Sequence, residues 1–152
     1  MNRKEFIKTC GFSCLSIIGV SAVLPACKPT KYVQGKQMGN KLTVDKADFL
    51  KDKNGTKNRH YIIVKTESLN YPIVLYRLSD SDYLALLLQC THQNMELNVN
   101  GDLISCSAHG SEFNNKGEVM QGPAEQALKQ FPVTHDNEKI YIQLTWKKYL
   151  AF

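Results

Sequence analysis

The sequence predicts an all-β domain, a sandwich or barrel of short strands. Three observations carry that expectation: the β-rich runs are only four to six residues long, turn signals separate them, and the run from Leu84 to Leu88 is apolar at consecutive positions. Short strands with frequent turns suit sheet packed on sheet. A strand that is apolar on both faces has to be covered on both.

The runs can be taken in order. Lys41-Leu42-Thr43-Val44 alternates and is the first expected strand, followed by Tyr61-Ile62-Ile63-Val64, Ile73-Val74-Leu75-Tyr76 and Tyr83 to Leu88. A buried helix is the alternative for the Leu84–Leu88 run. Asp102-Leu103-Ile104-Ser105 is a further short strand, and Ile140-Tyr141-Ile142-Gln143-Leu144 alternates near the end. Between them lie Asn54-Gly55, Asn70-Tyr71-Pro72, Ser79-Asp80-Ser81-Asp82, Asn100-Gly101 and Lys116-Gly117, all turn-forming in composition. Asp48-Phe49-Leu50 and Glu125 to Lys129 are each expected to form a turn of helix. There is no internal repeat.

The chain has 152 residues, enough for one domain and a tail, and 43% are apolar, enough for a real core. Nineteen Lys and Arg stand against 14 Asp and Glu, a formal charge of +5 with no basic run. That pattern excludes a nucleic-acid binder. Five cysteines, at 10, 14, 27, 90 and 106, are an odd number, and each needs a reason.

The first 26 residues read as an export signal. A basic start, MNRKEFIK, precedes an uncharged stretch from Thr9 to Leu24. That stretch is shorter than the roughly 20 apolar residues a membrane span needs, and its flanks fit a secretory signal. Leu24-Pro25-Ala26-Cys27 resembles the lipobox of bacterial lipoproteins, which implies cleavage before Cys27 and a lipid on its sulfur. An uncleaved N-terminal anchor is the alternative, and it too attaches the domain to a membrane. Asn2 to Lys8 also resembles a twin-arginine signal with Lys4 in place of the second Arg. Cleavage would remove Cys10 and Cys14, together with Arg3, Lys4, Lys8 and Glu5, which takes the charge from +5 to +3. The expected organisation is therefore a signal over 1–26, a lipidated N-terminus and flexible tether over 27–39, and a domain over 40–152. The expected location is the cell envelope, on the periplasmic or outer face of a membrane.

The chemistry lies in CTHQNMELNVNGDLISCSAHGSEF, which contains Cys90-x-His92 and Cys106-x-x-His109 with thirteen residues between the pairs. Two loops would each present one thiolate and one imidazole, a set able to hold one compact metal centre. Zinc takes two Cys and two His, but usually with like ligands close together. Blue copper wants two His and one Cys, which leaves a Cys over. A 2Fe-2S centre with two Cys on one iron and two His on the other uses all four.

The segment resembles the Rieske motif, C-x-H followed by C-x-x-H, with Cys-Thr-His and His109-Gly110-Ser111-x-Phe113 as further matches. Gly122-Pro123-Ala124 is similar to the Pro loop that covers the cluster in that family. The resemblance implies a Rieske-type antiparallel β-sandwich with a small cluster-binding subdomain of two loops, over about residues 88–125, and one 2Fe-2S cluster. It implies that Cys90 and Cys106 bind the inner iron and His92 and His109 the outer one. Neutral imidazoles in place of two thiolates make an added electron easier to accept, which raises the potential above that of all-Cys ferredoxins. With four protein ligands no coordination position is open, so no small-molecule substrate is expected at the iron. The implied activity is one-electron transfer between a redox protein donor and acceptor, not catalysis. A Rieske subunit docked in a larger oxidoreductase, an oxygenase ferredoxin and a zinc-stabilised binding module are the alternatives.

Several residues are expected to have ordinary roles. His60 and His135 lie among polar residues and read as surface. Met95 reads as a gap filler, Lys147-Lys148 as a solvated strand end, and Tyr149, Leu150 and Phe152 as an apolar end that packs or meets a partner. Glu112 and Glu118 lack a nucleophile or an acid–base partner.

Met95 and Ala108 stand where high-potential members carry an extra Cys pair, so the disulfide of those members is absent. Ser111 matches a hydroxyl donor to a cluster sulfide, and Phe113 stands where those members have a Tyr. Hydrogen bonds to sulfur favour the electron-rich state. Phe113→Tyr is therefore expected to raise the reduction potential and Ser111→Ala to lower it. Protein-film voltammetry measures both, and unmoved midpoints would remove these two positions from the sulfur environment.

Overall fold

The computed structural model describes residues 30–51 and 57–144. The signal, Cys27, the Asn54-Gly55 turn and the C-terminal Lys147 to Phe152 lie outside those residues. Among the described residues thirteen strands run in chain order: β1 (Tyr32–Gln34), β2 (Lys36–Met38), β3 (Lys41–Asp45), β4 (Tyr61–Lys65), β5 (Ile73–Arg77), β6 (Tyr83–Leu87), β7 (Asn98–Asn100), β8 (Leu103–Ser105), β9 (Glu112–Phe113), β10 (Val119–Gln121), β11 (Gln130–Phe131), β12 (Val133–His135) and β13 (Lys139–Gln143). They form three sheets, ordered β1-β4-β5-β6-β11, β12-β13-β3-β2 and β10-β9-β8-β7. Every pairing is antiparallel except β1 with β4.

The five-stranded sheet is the middle layer, and its period of two divides its side chains between two cores. Ile62, Val64, Ile73, Leu75, Ala85 and Leu87 pack on one face against Leu42, Val44, Ile140 and Ile142 of the β12-β13-β3-β2 sheet. Ile63, Val74, Tyr76, Leu84, Leu86 and Leu88 pack on the other face against Leu97, Ile104, Phe113 and Leu128. This is why Tyr83–Leu87 is buried at all five positions and why its sequence does not alternate. β13 has one covered face and alternates as expected.

Two local expectations are corrected. The described part of the 27–39 segment is not a tether. Val33 is half-buried against the first core, β1 lies beside β4 with Ile63 N–H donating to Lys31 O at 2.9 Å, and β2 pairs with β3. The chain crosses from one sheet to the other at Gly35, which is buried, so the domain begins before residue 40. Its polar composition reflects the exposed faces of two edge strands, not a free chain. Glu125 to Lys129 is irregular and not helical: Leu128 is buried in the second core, and its N–H is taken by Gly117 O at 2.7 Å, which leaves no intrahelical bond to make. The turn expected at Asp48-Phe49-Leu50 is present as a 3-10 turn two residues earlier, Lys46–Phe49.

The far end of the β7–β8 hairpin is pinned to the middle sheet. Tyr76 Oη donates to Gly101 O at 2.9 Å, and burial, with Tyr61 and Asp102 nearby, pushes this phenol well above its ordinary pKa so that it stays a donor. Asp102 Oδ1 lies 2.8 Å from His60 Nε2 and accepts from Asn115 Nδ2 at 2.8 Å.

A Cβ on Gly35 would stand 2.5 Å from Leu42 Cδ1 and 3.0 Å from Val64 Cγ1. Leu42 and Val64 are both fully buried, so neither can turn aside without opening the core. Gly35→Ala should cost about 1–3 kcal/mol, the usual range for overpacking, measured as a lower urea midpoint at unchanged slope.

Candidate metal centre

The site is built by two loops of the same backbone design. In the first, which leaves β6, Cys90 N–H donates to Met95 O at 2.8 Å and Asn94 N–H donates to Cys90 O at 2.8 Å. In the second, which leaves β8, Cys106 N–H donates to Ser111 O at 2.8 Å and Gly110 N–H donates to Cys106 O at 3.0 Å. Each loop closes on the fourth residue after its cysteine, and that residue is left-handed: φ is 54° at Asn94 and 76° at Gly110. Asn and Gly are the residues that tolerate this conformation. Gln89 Nε2 donates to Asn94 Oδ1 at 3.0 Å, and the Tyr71 hydroxyl donates to Asn94 O.

The segment after β10 forms the third wall. Gln121 Nε2 donates to Gly110 O at 3.2 Å, and Thr91 Oγ1 donates to Gln126 O at 2.7 Å, so this segment spans from the second loop to the first. Between those contacts lie exposed Gly122 and Pro123, joined by a cis peptide. Ala124 N–H donates to Ser111 Oγ at 3.0 Å. Ser111 is fully buried. Because its oxygen accepts from the backbone, its own proton is free to point at a sulfur or sulfide.

The four donor residues come together in two pairs. Cys90 and Cys106 are 1% and 2% exposed and are free thiols, close enough for the Cys90 thiol to act on that of Cys106. Burial is the largest influence on the Cys106 thiol and acts to raise its pKa. The N–H groups of Ala108 and His109 and the Cys90 thiol outweigh it together, and the Cys106 pKa lies below its ordinary value. His92 and His109 are exposed, with ring centroids 5.0 Å apart and planes at 90°. Among the described residues no three Cys, His, Asp or Glu converge on the position of a single ion. Two buried thiols and two exposed imidazoles on the same pair of loops instead suit a binuclear centre, with two protein donors for each metal.

The remaining expected residues divide. Phe113 is fully buried in the same core as Cys106 and Ile104 and brings no donor. Met95 is 49% exposed and fills no gap; its carbonyl, not its thioether, serves the loop. His60 and His135 are exposed, though His135 Nε2 lies 2.9 Å from Ser81 O. Asn94 and Gln121 are not marked by the sequence motifs, and Ala124 is marked only as the last residue of the Gly122-Pro123-Ala124 match. Asn94 carried a readable signal, since it stands four residues after Cys90 as Gly110 stands four after Cys106.

Ser111→Ala would leave the buried Ala124 N–H without its acceptor. The expected loss is about 1–3 kcal/mol, read from denaturation of the metal-free protein, whereas Ser111→Thr should keep most of the stability.

A family model described as the Rieske [2Fe-2S] domain matches residues 26–132. The chain is 30% identical over 83 residues, 49% of its length, to the iron-sulfur subunit of the toluene-4-sulfonate monooxygenase system of Comamonas testosteroni, and the match covers 24% of that protein. It spans about a quarter of that relative's length. A chain in the solved complex of reduced oxygenase and oxidized ferredoxin in carbazole 1,9a-dioxygenase is similar with a TM-score of 0.52 and 24% identity, over 71% of this chain and 96% of that one. Naphthalene 1,2-dioxygenase with indole bound gives a TM-score of 0.52 and 20% identity, over 70% of this chain and 26% of that one. At such identities the structural likeness shows the fold. With the family model matching from residue 26 to 132 and two Cys–His loops folded as a pair, the chain belongs to the Rieske [2Fe-2S] domain family and carries one Rieske-type cluster.

Proposed function

We propose that the chain is an exported, lipid-anchored one-electron carrier. In this reading Cys90 and Cys106 hold the inner iron, His92 and His109 hold the outer iron, and Cys27 carries the lipid. The observation that supports it best is the arrangement of the site: two neighbouring buried thiols and two exposed, perpendicular imidazoles on the same pair of loops. When bound, the cluster supplies reversible acceptance of one electron.

The chain's own residues would do the rest. Leu88, Leu97, Ile104 and Phe113 keep water from the thiolates. The N–H groups of Ala108 and His109 stabilise charge on the Cys106 sulfur. Ser111, its oxygen occupied by Ala124 N–H, can donate toward the centre. The exposed His92 and His109 rings offer a short path to a partner at the surface, and four side-chain ligands leave no position for substrate. The protein itself is then a carrier and not an enzyme.

A second reading, a ferredoxin serving an oxygenase, is favoured by the fold likeness of 71% of this chain to 96% of a chain in an oxygenase–ferredoxin complex. Lipid on Cys27, read by mass spectrometry of the protein isolated from membranes, would argue against it. Permanent docking in a larger oxidoreductase would show as co-purification with a large partner.

The decisive measurement on the centre is metal analysis with EPR of the dithionite-reduced protein. Iron and sulfide at about two each per chain with a rhombic signal of low average g are expected, lost in Cys106→Ala and His109→Ala. Stoichiometric zinc with EPR silence would overturn the ligand assignment.

A further inference from the structure

The start of the domain and the metal centre lie at opposite poles. β1 runs parallel to β4 with Tyr32 beside Ile63. β4 and β6 each run antiparallel to β5, with Tyr61 beside Tyr76 and Tyr76 beside Leu84. β1, β4 and β6 therefore all point the same way, and β6 leads into Cys90. Thr30, whose Oγ1 lies 3.3 Å from Tyr61 Oη, sits near the level of Tyr61 and Leu84. Cys90 is six residues further along than Leu84, roughly 20 Å at about 3.3 Å per residue. The second core repeats the result. Gly101, bonded by Tyr76, is five residues from Cys106, at most about 17 Å along that chain.

The entry segment is also fixed to the body. Lys31 Nζ lies 2.9 Å from Asp48 Oδ1, and Lys31 O accepts from Ile63 N–H at 2.9 Å. Only the three steps from Cys27 to Thr30 are left as a leash, at most about 10 Å when fully extended. With the His pole turned down onto the bilayer, Thr30 would stand about 20 Å above it along β6, about twice that reach. The pole also lacks a basic cluster to hold it on anionic lipid. Segments 91–95, 107–110 and 121–124 contain no Lys or Arg, their exposed neighbours Glu96 and Glu125 are acidic, and Lys129 is a single cation beside the first loop, whereas surface adhesion of this kind needs basic clusters.

We infer that on the lipid-anchored chain the His92/His109 pole faces away from its own membrane and docks a water-borne redox protein, not a partner site buried in the bilayer. This rests on the reading of Cys27 as the anchor. It deepens that reading, because the sequence alone suggested a flexible tether over 27–39 and the docked β1 shortens it to the residues before Thr30.

The test uses the full-length lipidated protein in phosphatidylethanolamine–phosphatidylglycerol vesicles containing a headgroup-labelled acceptor lipid. A donor dye is placed on Ser81→Cys, in the turn between β5 and β6 at the entry pole, or on Gln126→Cys beside the first loop. Energy transfer to the lipid should be higher from position 81 than from position 126. A flexible insert of about ten residues between Pro29 and Thr30 should abolish that difference, since it roughly quadruples the leash. The reduced protein should also pass its electron to a soluble c-type cytochrome as fast on vesicles as in detergent.

Equal or reversed transfer from the two positions, an insert without effect, or a rate about tenfold slower on vesicles would overturn the inference while leaving the anchor intact. Failure of the protein to bind vesicles, or binding unchanged in Cys27→Ala, would overturn the anchor reading and this inference together.

Discussion

Everything in this domain depends on a sheet that is buried on both sides. β4, β5 and β6 give alternate side chains to two separate cores. One core closes an ordinary sandwich. The other holds down a small sheet whose only large task is to carry two loops. Because the same strand that fills both cores runs directly into Cys90, the first thiol is placed by the most rigid part of the molecule. Cys106 follows β8, which is packed on that same face. Precision in a metal site comes from such supporting elements more than from the loops.

The loops repeat one solution. Each takes the N–H and the carbonyl of its cysteine into bonds with the residues five and four positions later, and each needs a left-handed residue to do so. The two histidines then differ by one position, second after Cys90 and third after Cys106, and the rings meet at right angles. The third wall adds what two loops cannot supply. It ties one loop to the other through Gln121 and Gln126, and its Ala124 N–H donates to the Ser111 oxygen.

The first described residues show how composition can mislead. A stretch of Lys, Gln, Gly and Thr with few apolar residues reads as a linker, and in water it would be one. Here two three-residue strands are added to two different sheets, with a glycine where the chain crosses between them. Edge strands keep one backbone side and often one face in water. They therefore need almost no hydrophobic content, and a composition-based reading has nothing to find.

The sequence by itself determined the family-specific chemistry and the class of fold. Two Cys–His pairs at that spacing, with Gly110, Ser111 and Phe113 behind them, are local in the chain and so survive being read as text. The strands of the middle sheet were legible for the same reason, since β-branched and apolar runs between turn residues need no partner to be recognised. Tertiary structure alone decided the rest. It made the apolar run of β6 serve two cores, left Glu125–Lys129 irregular because Leu128 is drawn into the second core, exposed Met95, and aimed the Ala124 N–H at Ser111. Each of these is a contact between residues far apart in sequence, or a competition between a local preference and a distant core. No window along the chain contains that information.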